Sequence, residues 1–388
     1  MYDVAVVGGG PAGACAAFTL AEAGARVALL EKATLPRYKT CGGGVVGRAL
    51  RVLPSALRAA VDASVLERPC HTAALHFRAE GLTFETRRER PVISMVMRDR
   101  FDAALVVAAE RAGAEIRQRC AVRDLIRYQD RCELDTTDGT VVARFVVAAD
   151  GVTGVTARRA GWPAPRACAP CVEAEVSVGD GDFERLAEVA RFDFGVVAVG
   201  YGWVFPKRAH LSIGLATTRG GENLHVALSR YLDALGLSRV ERMDKHGFLI
   251  PLAPRSGRVV DGRVLLAGDA AGLADPVTGE GISAAIESGI AAGRAIVRGG
   301  AEPGRVAADY HRALAGLRRE LRIGRGLAHL TYRVPRVRRW VFERSGQKLS
   351  DAVTDIMLGD ITYSDVVHRA KTWPLRRARR LLSSMLSA

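Results

Sequence analysis

A chain of 388 residues, 48% hydrophobic and 25% charged, can bury a full core and hold two joined domains. It has no apolar run long enough for a membrane-crossing helix, and its seven scattered cysteines do not make a disulfide framework. The net charge of +14 is uneven, with eighteen basic against eight acidic residues from Ala301 onward. Such a surplus suits an anionic membrane surface or a phosphorylated substrate, and no RNP, helix-turn-helix or zinc-finger pattern points to nucleic acid. The N-terminus enters a strand without a basic and apolar leader, so a cytoplasmic protein is expected, peripheral to the membrane if it meets one.

Asp3 to Val7 reads as a strand, and Gly8, Gly10 and Gly13 follow at G-x-G-x-x-G spacing. Pro11 to Ala23 has helical character, Ala25 to Leu30 is a second strand, and Glu31 closes it. In this order Gly8 permits a tight turn, Gly10 lets the backbone approach a pyrophosphate, and Gly13 lets helix and sheet pack closely. The helix N-terminus faces the phosphate charge, and Glu31 stands where ribose hydroxyls can be accepted. A second G-x-G-x-x-G, at Gly42, Gly44 and Gly47, follows Cys41 without a preceding strand, so it is not a second nucleotide fold.

Residues 72–97 alternate in strand fashion, Phe101 to Gly113 is helical, and Glu115 to Ala149 is a meander ending in an apolar strand. Residues 170–216 look like a second, antiparallel sheet. Arg263 to Ala267 is a strand entering Gly268-Asp269, and Ile282 to Val297 and Val306 to Leu330 are helical. The nucleotide fold is therefore expected from separated segments, 1–70, 98–160 and 255–300. Residues 71–97 and 161–254 would form a sheet domain, and 301–388 a basic helical region.

Asp150-Gly151, followed by Arg158, resembles the D-G motif of the p-hydroxybenzoate-hydroxylase-like flavoproteins. Gly268-Asp269 resembles their G-D motif, and Arg98 matches the arginine that lies along the flavin in that group. Within it, Pro36-Arg37-Tyr38-Lys39-Thr40-Cys41-Gly42-Gly43-Gly44 and Tyr201-Gly202-Trp203-Val204-Phe205-Pro206, with Gly214 downstream, are similar to the geranylgeranyl reductase family. So is Asp275-Pro276-Val277-Thr278-Gly279-Glu280-Gly281-Ile282, and the resemblance reaches about residue 365, including Gly359 and Tyr363. It implies an α/β fold: a discontinuous Rossmann-type FAD-binding domain, an antiparallel substrate domain and C-terminal helices.

The resemblance also implies roles. FAD would be held by Gly8, Gly10, Gly13, Glu31, Arg98, Val122, Asp150 and Asp269, with Cys41, Gly42 and Gly44 beside the isoalloxazine. Asp269 would accept from the ribityl chain, and Gly281 and Ile282 would open a helix toward the pyrimidine edge. Gly154 departs from the pattern, standing where serine is common, and a side-chain contact is expected to be weaker there. Tyr201, Trp203 and Phe205 share a strand face. Such a stripe reads as core by itself, and by resemblance as the wall of an apolar channel, with Gly202 leaving room on the other face. Cys41, Tyr201 and Trp203 are the catalytic candidates, Cys41 as proton donor or as shape element.

The implied reaction is saturation of double bonds in a polyprenyl chain carried by a lipid, quinone, pigment or diphosphate. Electrons would come from NAD(P)H or ferredoxin. The alternatives are a flavin monooxygenase and a non-catalytic flavoprotein; a halogenase is disfavoured by the single tryptophan of Tyr201–Pro206. No metal is expected, because Cys168-Ala-Pro-Cys171 has no second pair and no nearby histidine. In the tail, Leu375, Ala378, Leu382 and Met385 would share a helix face flanked by Arg376, Arg377, Arg379 and Arg380, facing either an anionic bilayer or the protein itself.

Overall fold

The computed structural model describes residues 1–371 except 166, 238, 239 and 256. Its first sheet is eight-stranded, and its spine is a parallel set in the order β17-β18-β11-β1-β2-β8, with a single antiparallel pair at the β17 edge. These strands are β1 (Tyr2–Val7), β2 (Val27–Leu30), β8 (Glu115–Arg117), β11 (Gly139–Ala148), β17 (Val260–Asp261) and β18 (Val264–Leu266). The inner strands are continuous apolar runs because helices cover them, and Val4 to Val6 and Val27 to Leu30 are buried throughout. Antiparallel strands β9 (Val122–Arg127) and β10 (Cys132–Thr136) extend β11 as the expected meander. Helix α1 (Pro11–Glu22) packs on α4 (Arg98–Arg111) and on α8 (Ile282–Gly299).

The second sheet is seven-stranded, in the order β16-β12-β15-β14-β13-β5-β6. It comprises β5 (Thr72–Phe77), β6 (Leu82–Arg87), β12 (Cys168–Ser177), β13 (Ala190–Phe194), β14 (Gly200–Pro206), β15 (Leu211–Thr217) and β16 (Arg242–Pro251). One face carries Val172, Val204, Ile213 and Leu215, covered by α7 (Leu224–Ala234) through Leu228 and Tyr231, with α6 (Asp180–Leu186) beside it. The other face carries Trp203 and its aromatic neighbours and turns toward the first sheet. The edge strand β16 escaped the sequence reading because Arg242, Asp244 and Lys245 blunt its alternation. Charge on an edge strand is how unwanted strand pairing is avoided.

A third sheet joins β3 (Gly44–Val46), β7 (Ile93–Val96) and β4 (Leu66–Cys70), flanked by α2 (Gly47–Val52) and α3 (Ser55–Ala60). The alternating stretch 72–97 is thus divided: β5 and β6 enter the second sheet, whereas β7 pairs with the strand of the glycine loop. Helix α5 (Thr156–Arg159) follows Asp150. The C-terminal region is helical: α9 (Pro303–Ala313), α10 (Ala315–Arg333), α11 (Pro335–Leu358) and α12 (Tyr363–Lys371). Helix α11 lies across β5 and β6, so this region closes the sheet rather than standing apart. Among the described residues no helix is long and apolar enough to cross a membrane. The arginine-rich segment from Pro374 lies outside the described residues.

Candidate active site

The glycine loop sits between β1 and α1. Gly8 has φ +103°, and a Cβ on Gly13 would lie 1.9 Å from the Gly8 carbonyl oxygen, so helix and loop touch through backbone alone. Glu31, 3% exposed at the end of β2, accepts from the Gly9 N–H at 2.8 Å and the Ala33 N–H at 3.0 Å. Arg37 stands 3.6 Å from Glu31 and 2.8 Å from Asp102, and Asp102 is gripped by Arg98 through two bonds of 2.9 Å. A buried acid–base chain therefore ties Glu31 to Arg98. The sequence reading missed Asp102 and Arg37 in that role. Asp102 could have been found, four residues beyond Arg98 on one helix; Arg37 could not, because only the fold brings it there. Val122 opens β9 just past Cys120, whose N–H donates to the Glu31 carbonyl at 2.9 Å.

Asp150 folds back on its own loop. Its Oδ2 accepts from the Thr156 N–H at 3.0 Å and the Thr156 hydroxyl at 2.7 Å. A Cβ at Gly154 would lie 2.1 Å from the Asp150 carboxyl carbon, so the glycine leaves the space the carboxylate fills. The weaker contact expected at Gly154 is supplied instead by Thr156, which the sequence reading passed over. Burial raises the Asp150 carboxyl above its usual range, and Asp150 Oδ1 is buried without a partner. Burial likewise raises Asp269, against the pull of Lys39 and Arg98, and lowers Lys39, helped by Arg98. Gly281 caps α8, whose first residue is Ile282, and both border the same space, with the Ser283 N–H of that turn taken by Glu280 at 2.7 Å.

These elements border one cavity of about 530 Å³. Of the predicted site residues only Gly13 does not line it, which leaves Gly13 a packing role. Two helix N-termini, the cations Arg98 and Lys39, and the unpartnered Asp150 Oδ1 suit a long anionic dinucleotide with hydroxyl donors. FAD fits this donor set.

The far wall is the second sheet. Strand pairing puts Phe192 opposite Trp203, Phe194 opposite Tyr201 and Gly214 opposite Trp203, so all share the face of Phe205. A Cβ on Gly214 would fall 2.1 Å from the indole, so Trp203 lies flat across the neighbouring strand. Gly202 does not leave a channel behind this wall: its space is filled by Tyr231 and Leu215, 2.8 and 3.0 Å from an added Cβ. The face pattern demands a small residue there because α7 packs on it. The Tyr201 hydroxyl donates to the Thr278 carbonyl, and burial raises its pKa, so its proton is engaged away from the cavity's aromatic wall.

The triglycine loop approaches the protein's own rings. Added Cβ atoms would meet Trp203 Nε1 at 2.8 Å from Gly42 and the Phe205 ring at 3.0 Å from Gly44. Beneath it, the buried Lys207 ammonium donates to the Gly42 and Val96 carbonyls at 2.6 and 2.9 Å. Cys41 borders the cavity and its Sγ accepts weakly from the Gly43 N–H at 3.4 Å. Behind Phe192, Tyr201 and Met357 lies a smaller chamber of about 50 Å³, walled by Phe77, Phe194 and Phe342. Among the described residues no group of acids, histidines and cysteines could hold a metal, and Cys168 and Cys171 point to opposite faces of β12.

A parallel sheet with a glycine loop, closed over one cavity by an antiparallel sheet, defines a two-domain FAD-dependent oxidoreductase. Residues 1–192 match the family model of the FAD binding domain. The chain is 33% identical to digeranylgeranylglycerophospholipid reductase 1 of Methanopyrus kandleri, over 76% of this chain and 80% of that one. It is 31% identical to geranylgeranyl diphosphate reductase of Rhodobacter capsulatus, over 72% and 71%. The crystal structure of a geranylgeranyl bacteriochlorophyll reductase-like protein from Thermoplasma acidophilum superposes with TM-score 0.76 over 99% of both chains, at 22% identity, which shows the shared fold. The chain belongs to the geranylgeranyl reductase family of FAD-dependent oxidoreductases.

Proposed function

We propose that this protein saturates carbon–carbon double bonds in a geranylgeranyl-type polyprenyl chain. The observation that carries the reading is the aromatic wall of Phe192, Tyr201, Trp203 and Phe205, which shares one cavity with the FAD residues and borders the second apolar chamber. A long hydrocarbon needs such a surface and little else, since it offers no polar handle along its length. The names of the relatives support the same substrate class.

Bound FAD in its reduced form would supply a hydride from N5. The chain's residues do the remaining work. Glu31, Val122 and the glycine loop would hold the nucleotide half, and Arg98, Asp269 and the α8 N-terminus the ring half. Trp203 and Phe205 would fix the alkene, and the closed aromatic wall would exclude water. The head group of the substrate, whether lipid, quinone, pigment or diphosphate, would lie outside this wall. A ferredoxin or NAD(P)H would deliver electrons from outside, and the basic tail would bring the protein to an anionic membrane. The test is anaerobic incubation of the dithionite-reduced holoenzyme with geranylgeranyl diphosphate and with a geranylgeranyl lipid. Mass spectrometry should show two hydrogens gained per double bond. An unchanged chain with both compounds, or a hydroxylated product once oxygen is admitted, overturns the reading.

A further inference from the structure

Resting on that reading, which leaves the second hydrogen unassigned, we propose that Glu173 is the proton donor of the reduction and that Tyr38 recharges it from solvent. Other acids on the sheet side of the cavity are already committed. The Tyr201 hydroxyl donates to Thr278, the Cys171 thiol to the Phe248 carbonyl at 3.3 Å, and the Trp203 N–H to Ser212 at 3.4 Å. At the cofactor end Glu280 is held by Arg48 and the Ser283 N–H and Glu31 by Gly9 and Ala33, while Asp150 and Asp269 stand among the residues that would hold FAD.

Glu173 differs from them. It is 0% exposed on β12, borders the cavity, and stands on the face that carries Trp203. Its Oε1 accepts from the Ser212 hydroxyl at 2.8 Å, and its Oε2 from the Cys41 N–H at 2.8 Å and the Tyr38 hydroxyl at 3.3 Å. Cys41 begins the glycine loop that lies over Trp203, so this carboxyl is placed where loop and wall meet. Tyr38 is 41% exposed, and its ring rests on His246 at 4.1 Å between centroids. Tyr38 therefore stands between the buried carboxyl and the protein surface.

Groups from every neighbouring element bear on this acid. Cys171 and Glu175 flank it on β12, and Glu175 is itself engaged at 2.9 Å by His210, which immediately precedes β15. His246 of β16 is its register partner, Lys207 lies beyond β14, and Lys39 and Cys41 belong to the loop. Burial, then Glu175, push the Glu173 pKa up to about 7 against the pull of Lys207, so near neutral pH the carboxyl can hold a proton and also release it. In the step, the alkene's π electron pair and the incoming hydride form two C–H bonds. One hydrogen would be the hydride, which reduced FAD supplies with its two electrons, and the other is the Glu173 proton; the carboxylate left behind takes a proton through Tyr38.

The test compares wild type with Glu173→Gln and Tyr38→Phe as FAD holoenzymes, with geranylgeranyl diphosphate as the probe. Isotope-edited infrared titration of the oxidised protein, with no substrate, should show a protonated glutamate band lost as pH passes about 7. That band should be absent in Glu173→Gln. With FAD content and melting unchanged, Glu173→Gln should slow anaerobic single turnover by about 100-fold and remove its decline above neutral pH. Tyr38→Phe should keep the first turnover and slow the steady state, which a merely structural role would not do. The last result also decides the question if Glu173→Gln fails to hold FAD. Wild-type rate and pH profile in Glu173→Gln, or equal slowing of both phases in Tyr38→Phe, overturns the proposal while leaving the proposed activity standing. If wild type itself reduces no prenyl chain, the activity and the proposal fall together.

Discussion

Single atoms decide the cofactor end of the site. Gly154 is the sharpest case, because an added Cβ would fall 2.1 Å from the Asp150 carboxyl carbon. Gly154→Ser should therefore push Asp150 off Thr156 and cost about 1–3 kcal/mol of stability, read as a lower melting temperature and weaker FAD retention. Thr156→Val should weaken FAD retention in the same direction, since it removes one donor to Asp150. Glu31→Ala and Asp269→Ala should each weaken FAD binding by about 1–3 kcal/mol in a fluorescence titration. Glu31→Ala should also lower the melting temperature of the FAD-free protein, because it strands the Gly9 N–H; equal melting would show that the loop holds itself.

At the scale of elements, the loop from Cys41 to Gly44 and the strand β14 form one unit. Lys207 holds the loop's carbonyl, Glu173 its first N–H, and the Trp203 indole fills the space that glycines leave on both sides. Gly214→Ala should lift the indole from β15 and lower prenyl reduction at least about tenfold while FAD content stays unchanged, since misplacing reactants by an ångström acts on chemistry rather than on cofactor binding. Cys41→Ala should keep FAD and change turnover or the number of double bonds reduced. Unchanged rate and products would assign Cys41 to packing.

For the whole molecule, the raised acid has a consequence for stability. Glu173 keeps its proton up to about pH 7 in the folded chain but loses it in the ordinary carboxyl range when unfolded. Between those values the folded state binds more protons, so stability falls as pH rises through that window and levels off above it. Chemical denaturation from pH 4.5 to 8 should show this decline, and Glu173→Gln should flatten it relative to wild type. The surplus of basic residues acts at the same scale. Changing the tail arginines 376, 377, 379 and 380 to serine should reduce sedimentation with anionic vesicles at low salt, at about 1 kcal/mol per arginine. Equal sedimentation would show that the tail is not an anchor.

The cofactor class and the order of the nucleotide elements follow from local chemistry, and local chemistry is written in contiguous residues. A strand, three glycines, a helix and a terminal acid are read within thirty-one positions, and the D-G, G-D and Tyr-Gly-Trp motifs are equally short. Strand alternation alone put Tyr201, Trp203 and Phe205 on one face. What sequence could not show depends on contacts between distant segments. Arg37 meets Asp102 across 65 positions, Cys41 meets Glu173 across 132, and Thr86 meets Ser350 across 264. The division of 72–97 between two sheets and the filling of Gly202 by Tyr231 belong to the same class. Nothing in the sequence singles out Glu173, because a charged residue in an alternating strand normally faces water. Only the folded sheet places it in a buried wall between the loop and the aromatic strand, where losing water is what gives a carboxyl a proton to donate.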